Sequence, residues 1–419
     1  MKRGIVFGMA AITVLALTAC GSNPGGGAST APTAPTAPIA SSSPAASSAL
    51  TIWVDDTRLA PFQQVATKFE QDKGVMVNIV QKDFAKIRDD FISQVPTGQG
   101  PDIIIGAHDW LGKLVQNGVV APVQLGDKTN DFLPVALQAM SYNGVLYGVP
   151  YSVENVGLVV NTQLMSAPTP STFDELITQG KTAGTQYSVL VQQDPTAGDP
   201  YTLNPIQTSF GCQIFGADST GAYDPSQLFT NTDGCHKFAQ YVATLGKEGV
   251  LSTSLSYDIA RQAFLDGKAP YIVTGPWNTG DFVKAGLQIR VDTIPSAGGQ
   301  PAQPFVGVQG AFVSAKSANA LLANDFVVNY LSTPDVQLSL YQVGGRAPAL
   351  QSALSQLSSD PLIKQFGDVG AGGAPMPSIP AMDTVWSDWG ATELALTDNK
   401  GDPVQLWDQM VASIRSKIS

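Results

Sequence analysis

The sequence predicts an α/β protein with two domains, each built on a mainly parallel sheet flanked by helices. Strand-like and helix-like segments alternate from Leu50 onward, an order typical of parallel sheets covered on both sides. Residues 102–105 form a strand-like segment with a continuous apolar run, as expected of a buried central strand. Roughly 370 residues follow the N-terminal region, more than one hydrophobic core usually organises. In such sheets, ligands bind beyond the carboxyl ends of the strands.

The first β-α-β unit is the clearest local pattern. Residues 50–54 have strand composition, and apolar residues at positions 62, 65, 66 and 69 predict a helix behind Pro61. Gly74 ends this helix, and alternation over residues 75–79 predicts the next strand.

Later segments continue the alternation. Thr172 and Glu175 form a capping box that opens a helix ending near Gly180. The other predictions are an irregular segment at 211–235, the end of a helix at 261–267, a strand at 270–274, helices at 320–331, 335–342 and 404–418, and a loop at 370–373.

The N-terminal residues predict export. Lys2 and Arg3 precede an apolar run over residues 5–17, which is too short for a membrane span and is typical of a signal peptide. The sequence Leu17-Thr18-Ala19-Cys20 resembles the bacterial lipobox, in which the cysteine is acylated after residues 1–19 are removed. We expect the chain to be anchored through lipidated Cys20 at the outer face of the cell membrane. An ordinary signal peptide with a chance cysteine is the alternative.

Residues 20–48 are the predicted lipidated cysteine and a tether. They are almost wholly Gly, Ser, Ala, Thr and Pro and carry no charged side chain, so this segment cannot offset the entropy of ordering. No later stretch is apolar and long enough to span a bilayer, so we expect membrane attachment by the lipid alone.

The chain is acidic, with a formal net charge of −11 that becomes −13 when Lys2 and Arg3 leave with the signal peptide. Phosphate binding needs clusters of Lys and Arg, and the sequence has none. Nucleic acid is therefore excluded as an expected partner.

Two cysteines remain once Cys20 is acylated. Cys212 and Cys235 are 23 residues apart in a chain predicted to leave the cytoplasm, where disulfides persist, so we expect them to pair. Only His236 lies close to them, and no CxxC or HxxxH spacing favours a metal site. The sequence predicts no metal or other cofactor.

Short motifs recur in a defined order along the body. Those generic to a large superfamily are Phe69-Glu70-Gln71-Asp72-Lys73-Gly74, Gly100-Pro101-Asp102-Ile103-Ile104 and Gly275-Pro276-Trp277. More specific motifs are Ala107-His108-Asp109, Pro150-Tyr151-Ser152-Val153-Glu154, Asp199-Pro200-Tyr201 and Pro304-Phe305-Val306-Gly307-Val308. From Leu50 to the C-terminus the chain resembles the extracellular solute-binding proteins of carbohydrate importers, and within them the maltose/maltodextrin-binding proteins.

The resemblance implies a two-lobed periplasmic-binding-protein fold with a ligand cleft between the lobes. Lobe I is expected to comprise residues 49–153 and 309–356, and lobe II residues 157–304 and 361–419. Hinge segments are expected near 153–157, 304–309 and 355–361, so that the cleft closes on its ligand. The implied function is that of a monomeric substrate-binding lipoprotein, which delivers maltose or maltodextrin to the permease of an ABC importer.

The resemblance also carries candidate ligand-binding residues. Sugar hydroxyls suit charged hydrogen-bonding groups, and the C–H faces of a sugar ring suit aromatic rings. In lobe I the matching positions are Asp56, Arg58, Asp109, Trp110 and Glu154. The structural alternatives are a solvated loop acid for Asp109 and a hinge salt bridge for Glu154. The match at Asp56 and Arg58 is loose in its spacing.

In lobe II the matching positions are Asp199, Tyr201, Trp277 and Trp386. The three aromatic residues are the expected stacking platforms, although an isolated tryptophan is more often part of a core. Trp389 lies three residues after Trp386, on the same predicted helical face, and is the less favoured platform. His108 is expected to be structural.

Three positions depart from the pattern of the best-known family members. Gly106 stands where they have tryptophan, Trp110 where they have arginine, and Asp199 where they have glutamate. The changes at Gly106 and Trp110 reshape the lobe I wall, so trehalose, cyclic dextrins and other oligosaccharides remain alternatives to maltodextrin.

Two other functional classes compete with a binding protein for an importer. A glycoside hydrolase also places carboxylates around a sugar, but it needs an acid and a base or nucleophile across one bond. No GxSxG, HExxH or Walker A pattern is present, and with only two histidines the sequence favours a binding protein over an enzyme. The third class is a cell-surface adhesin or sensor subunit.

Overall fold

The computed structural model describes residues 49–217 and 223–418. The predicted signal peptide, Cys20 and the tether through residue 48 lie outside these ranges. The strands are β1 (Ala49–Val54), β2 (Met76–Gln81), β3 (Ile103–Ala107), β4 (Ser141–Tyr142), β5 (Val145–Leu146), β6 (Gly148–Glu154), β7 (Gly157–Asn161), β8 (Leu190–Val191), β9 (Phe215–Ala217), β10 (Tyr223–Leu228), β11 (Tyr271–Thr274), β12 (Ile289–Asp292), β13 (Phe305–Val313), β14 (Ala347–Pro348) and β15 (Ala374–Pro375).

The helices connect and cover these strands. They are α1 (Asp56–Lys73), α2 (Phe84–Gln94), α3 (Leu111–Gln116), α4 (Pro134–Ala139), α5 (Phe173–Lys181), α6 (Pro200–Thr208), α7 (Thr232–Lys247), α8 (Tyr257–Leu265), α9 (Thr279–Lys284), α10 (Ala320–Asn324), α11 (Pro334–Gly344), α12 (Gln351–Gln356), α13 (Pro361–Ala371), α14 (Ala381–Thr397) and α15 (Pro403–Ile418). Among the described residues, no helix is long and apolar enough to cross a membrane.

Two sheets organise the body. Within the described ranges the larger sheet has the strand order β14-β6-β13-β3-β1-β2, with β15 added on β13, and the smaller sheet has the order β12-β7-β11-β8. Strand β3 is buried along its whole length, as its continuous apolar sequence predicts. The predicted α/β class with two sheet-centred halves is confirmed.

Both sheets mix parallel and antiparallel pairs, where the sequence predicted mainly parallel ones. Strand β1 is parallel to β2 and β3, whereas β13 is antiparallel to both β3 and β6. In the smaller sheet β11 is parallel to β8 and antiparallel to β7. The reason is the connectivity: β6, β7 and β13 lie next to passages between the sheets and are not joined by helical crossovers, which parallel neighbours require.

The passage between the sheets is short. Strand β6 of the larger sheet ends at Glu154, and β7 of the smaller sheet begins at Gly157. The two residues between them, Asn155 and Val156, are buried. The return path runs from β12 in the smaller sheet to β13 in the larger one.

Helix α1 begins earlier than predicted. It starts at Asp56 and contains Pro61, because Asp55 caps its first turn by accepting a hydrogen bond from the backbone N–H of Arg58. Pro61 is the sixth residue of the helix, beyond its first turn, and it removes one intrahelical hydrogen bond. Gly74 ends the helix at a φ of 68°, as predicted.

Several later predictions are confirmed. The capping box of Thr172 and Glu175 opens α5, and the predicted disulfide joins Cys212 to Cys235 with their Cα atoms 4.8 Å apart. The strand predicted at 270–274 and the helix predicted at 404–418 are β11 and α15. Within the helix predicted at 320–331, residues Asp325–Tyr330 are π-helical.

Two segments predicted to be irregular are partly regular. Strands β9 and β10 form an antiparallel pair within 211–235. Helix α13 extends through Gly370 and Ala371, into the predicted loop 370–373. A Cβ on Gly370 would lie 2.6 Å from Oδ1 of Asn155, so glycine here serves close packing against the passage between the sheets.

Candidate ligand-binding site

The carboxyl ends of three strands of the larger sheet lie along one edge. Strands β1 and β3 are parallel, and β6 runs in the same direction because both β3 and β6 are antiparallel to β13. The residues at or just after these strand ends are Asp55, Asp109 and Glu154. In the smaller sheet, β11 leads to Trp277, and Gly157 at the start of β7 pairs with Thr274 at the end of β11. The passage 155–156 therefore joins the two edges that carry these residues.

Arg58 is a buried residue on the first turn of α1. Its guanidinium pairs with the carboxylate of Asp55, and its Nε donates a hydrogen bond of 2.9 Å to Tyr151. Burial lowers the pKa of Arg58. The side chain is therefore held by the protein, with little of its surface reaching solvent.

Asp56 lies next to this pair but is exposed on the outside of α1. Burial, followed by the charge of Asp56, raises the pKa of Tyr257 to about 12, and the Tyr257 hydroxyl donates to Asn278 beside Trp277. The buried acid at this position is Asp55, which sequence reasoning passed over. The helix explains the difference, because residue 55 is the N-cap and turns inward, whereas residue 56 begins the helical surface.

Glu154 is held from two sides at the end of β6. Its Oε1 accepts a hydrogen bond of 2.5 Å from Gln309, and its Oε2 accepts one of 2.6 Å from Nε of Arg346. Arg346 also donates from Nη2 to Thr57 at 2.9 Å. Burial alone would lower the pKa of Arg346, but the charge and hydrogen bond of Glu154, together with Tyr151 and Tyr257, raise the net pKa above its usual value.

Arg346 is a site residue that sequence reasoning missed. It follows Gly344-Gly345 at the end of α11 and is only 6% exposed, and Gly345 has a φ of 73°. A Cβ on Gly345 would lie 2.5 Å from the carbonyl oxygen of Pro276, so the two backbones touch there. An arginine directly after a helix-ending glycine pair was the signal available in the sequence.

The guanidinium of Arg346 lies over an aromatic ring from the other half of the molecule. Its Cζ is 5.4 Å from the centroid of Trp277, and Tyr201 lies 6.4 Å from the same ring. Tyr201 also stacks on Phe305 at 6.0 Å. Trp277 is half-buried, as a platform that must accept a ligand requires.

The hydroxyl of Tyr201 is buried and has no hydrogen-bond partner among the described residues. Burial, followed by the charge of Glu154, raises the pKa of Tyr201 well above its usual value. A Cβ on Gly307 would lie 3.4 Å from Cγ of Glu154 and 3.5 Å from this hydroxyl. Glycine at 307 therefore leaves open the space between an acid and a phenol that can still donate a hydrogen bond.

Asp109 contacts α14. Its Oδ2 accepts a hydrogen bond of 2.9 Å from Nε1 of Trp386, while its Oδ1 is buried and has no partner among the described residues. Burial raises the pKa of Asp109. Trp386 is half-buried and stacks at 5.5 Å on Trp389, which is fully buried. Of the two stacked rings, Trp386 is therefore the one with surface open to solvent.

Ion pairs also join the two halves of the molecule, next to the contact between Asp109 and Trp386. Asp383 on α14 binds Arg88 of α2 at 2.6 Å and Lys113 of α3 at 2.9 Å. Helices α2 and α3 belong with the larger sheet, whereas α14 packs mainly on α6, α7 and α15.

Asp199 has a structural task in addition to any contact with ligand. It caps α6, where its Oδ1 accepts from the backbone N–H of Thr202 at 3.0 Å and its Oδ2 accepts from Gln192 at 2.5 Å. Burial raises the pKa of Asp199. The capped helix starts at Pro200 and so fixes the position of Tyr201.

His108 is structural, as the sequence predicted. Its Nδ1 accepts a hydrogen bond from the backbone N–H of Val308 at 3.0 Å, so Nε2 carries the proton and donates to the carbonyl of Met376 at 2.9 Å. Burial lowers the pKa of the ring.

The structure places Trp110 differently from the prediction. It is 5% exposed and packs on Phe84 at 5.0 Å, behind the strand edge. Its ring fills the space beside Gly106, so it supports the wall instead of forming its surface.

This arrangement of residues defines a class of protein. Two α/β halves are joined by buried crossing strands, and their facing edges carry acids, an arginine and half-exposed aromatic rings, which is the construction of a two-lobed binding protein. Residues 64–365 match the family described as bacterial extracellular solute-binding protein, and the chain belongs to that family.

Three comparisons refine this result. The chain is 26% identical over 432 residues to the galactooligosaccharide-binding protein of Bacillus subtilis, covering all of this chain and 97% of that one. It is 26% identical over 400 residues to a maltooligosaccharide ABC transporter solute-binding lipoprotein of Streptococcus pneumoniae, covering 92% and 90% of the two chains. The fold superposes with a TM-score of 0.81 on the Thermus thermophilus maltotriose binding protein bound with maltotriose. That match has 31% identity and covers 88% of this chain and 100% of the other.

Proposed function

We propose that this protein captures an α-glucoside oligosaccharide, with maltodextrin the first choice, between two lobes and delivers it to the permease of an ABC importer. The observation that carries the proposal is the pairing of polar groups from the larger sheet with aromatic rings from the other half. Asp109 meets Trp386, and Arg346, bound to Glu154, meets Trp277.

The unsatisfied groups of the site fit a sugar. Oδ1 of Asp109 can accept a hydrogen bond from a hydroxyl, and the Tyr201 hydroxyl can donate one to a sugar oxygen. Buried polar atoms without partners are costly, so a ligand that supplies their partners stabilises the closed arrangement. Trp277 and Trp386 offer half-exposed rings for the apolar sugar faces.

The lobes we propose are 49–153 with 309–356, and 157–304 with 361–419. This division is supported by the passage from β6 to β7 and by the contacts of α12 with β14 and of α13 with β12. Closure brings α14 onto α2 and α3, and ligand binding stabilises the closed form that the permease recognises. Scattering profiles with and without saturating maltotriose should differ in compactness, and identical profiles would count against hinge closure.

The remaining parts of the proposal concern location and chemistry. The name of the pneumococcal relative supports attachment through a lipid, here on Cys20, and the family description supports an extracytoplasmic location. We also propose that the chain acts as a monomer. We propose no catalysis, because both oxygens of Glu154 are already bound by Gln309 and Arg346. Release of reducing ends from maltotetraose by the purified chain would overturn this point.

Titration calorimetry of the purified chain tests the ligand. Maltose, maltotriose, longer dextrins, cyclodextrin and trehalose form the α-glucoside panel, and we expect one tight site with maltotriose. A galactooligosaccharide belongs in the same panel, because the relative that matches the whole chain is named for binding that sugar. Binding of the galactooligosaccharide alone would replace the proposed ligand with this second candidate.

A further inference from the structure

A pocket of about 530 Å³ lies at the opposite end of α6 from the candidate site. Helix α6 begins beside Asp199 and Tyr201 and ends at Thr208, which lines the pocket. Nine residues at about 1.5 Å each put roughly 14 Å between the two ends, so the pocket is separate from the candidate site. Its other walls are the first turns of α7 and the loop 298–303.

The disulfide joins two walls of this pocket. Cys212 lies between Gly211 and Gln213, and Cys235 follows Gly234, and all three of these neighbours line the pocket. A Cβ on Gly234 would lie 2.2 Å from the carbonyl oxygen of Phe210. Close backbone packing and a covalent bond therefore fix the shape of the pocket before any ligand arrives.

The side chains around the pocket offer groups that the protein leaves unused. Asp233 and Lys237, both exposed on α7, form no ion pair with any described residue, and the side-chain amide of Gln300 has no hydrogen bond within the same ranges. The ring of Phe210 is half-buried and packs on Tyr241 at 5.4 Å, which holds it at the pocket wall.

These groups indicate the chemistry of the ligand. A carboxylate and an ammonium group side by side select neither an anion nor a cation, but both make charge-assisted hydrogen bonds to hydroxyl groups. An aromatic wall suits the apolar face of a sugar ring. The volume lies within the range of about 300–1,000 Å³ that is usual for small-ligand sites.

We propose that this pocket is a second, weaker binding site for neutral oligosaccharides. The choice of sugar class rests on the proposed function, whereas the pocket and its unused groups do not. The site is weaker because its charged groups are exposed, while those of the first site are buried and already fixed.

An NMR titration of the ¹⁵N-labelled full chain with maltotriose tests the proposal. The amides of Gly211, Gly234 and Gly298 report on the pocket, and those of Gly275, Gly307 and Gly345 report on the first site. We expect both sets to shift, with the pocket set saturating at a higher concentration. Shifts in the first-site set alone overturn the second site, and shifts in the pocket set alone overturn the proposed function. No shift in either set overturns both for this sugar class.

Substitutions of pocket side chains test whether the second binding event takes place in the pocket. Lys237→Ala with Gln300→Ala should raise the pocket dissociation constant at least tenfold and leave the first site unchanged. Lys247→Ala, on the exposed far end of the same helix, is the matched control and should alter neither site. Asp233→Asn is a milder second variant that should weaken the pocket severalfold. Unchanged pocket affinity in either pocket variant would contradict the assignment.

Discussion

Gly106 leaves the space that the ring of Trp110 fills. A Cβ on Gly106 would lie 2.0 Å from Cζ3 of Trp110, and the ring is 5% exposed. The two departures from the family pattern noted in the sequence are therefore one structural exchange. The bulky side chain stands at position 110, behind the strand, and position 106 on the strand has none.

This relationship predicts a non-additive pair of substitutions. Gly106→Ala should lower the free energy of unfolding by about 1–3 kcal/mol, because the methyl group overpacks the ring. In a Trp110→Ala background the same change should cost less than about 1 kcal/mol. Urea denaturation measures the loss of unfolding free energy in each background. Equal losses with and without the Trp110 ring would show that Gly106 and Trp110 are not tightly packed. Gly367→Ala, where a Cβ meets nothing within 4 Å, is the control and should not destabilise.

Trp277→Ala should weaken oligosaccharide binding at least tenfold, which is about 1.4 kcal/mol, because the half-exposed ring is lost. Trp407→Phe changes a tryptophan that is 1% exposed and remote from the site, so it should lower stability and leave affinity unchanged. Calorimetry with maltotriose compares the two. Equal affinity in the parent and Trp277→Ala proteins would remove Trp277 from the site.

Arg346→Met should destabilise the chain by about 3–5 kcal/mol, because it removes one partner of the buried Glu154 carboxylate. Glu154→Gln in the same chain should recover part of that loss, since a neutral amide is cheaper to bury. Lys364→Met breaks the exposed pair with Asp368 and should change stability by less than about 0.5 kcal/mol. A double variant as unstable as the sum of its single changes would contradict the coupling.

The buried carboxyl of Glu393 predicts that the free energy of unfolding depends on pH. Its carboxyl is fully buried with no partner among the described residues, and burial, followed by the charge of Asp199, raises its pKa well above the usual 4.5. The folded chain thus holds this proton more tightly than the unfolded chain. Its contribution to stability is present below pH about 4.5 and is lost as pH rises through the raised pKa.

The variant Glu393→Gln isolates this effect. It should match the parent protein in acid and exceed it in stability by an amount that grows with pH until the raised pKa is passed. Urea denaturation across the pH range gives the difference directly, and parallel stability curves would rule out the effect.

Cys212→Ser with Cys235→Ser should lower the free energy of unfolding by about 3 kcal/mol, as expected for a cross-link that spans 23 residues. The same change should weaken the second site more than the first, because the cross-link joins two walls of the pocket. Denaturation and the glycine NMR titration measure these separately. Equal weakening at both sites would mean that the disulfide acts only on global stability.

Local sequence patterns determined much of this protein. The buried run at β3, the capping box of α5, the end of α1 at Gly74 and the cysteine pair are all features whose causes lie within a few residues or in the cellular compartment. The family resemblance proposed Asp109, Glu154, Tyr201, Trp277 and Trp386 as ligand-binding residues, and their roles in binding stay predictions. The antiparallel strands next to the passages between the sheets did not follow from local patterns, because their direction depends on which sheet the chain re-enters.

Only the tertiary structure decided what each candidate contacts. Burial separated inward-facing Asp55 from exposed Asp56, and it placed Trp110 behind the wall. Arg346 became a site residue because its partner, Glu154, lies 192 positions away in sequence and 2.6 Å away in space. The physical reason is that composition and spacing fix local conformation, whereas desolvation and pairing depend on distant parts of the chain brought together by folding.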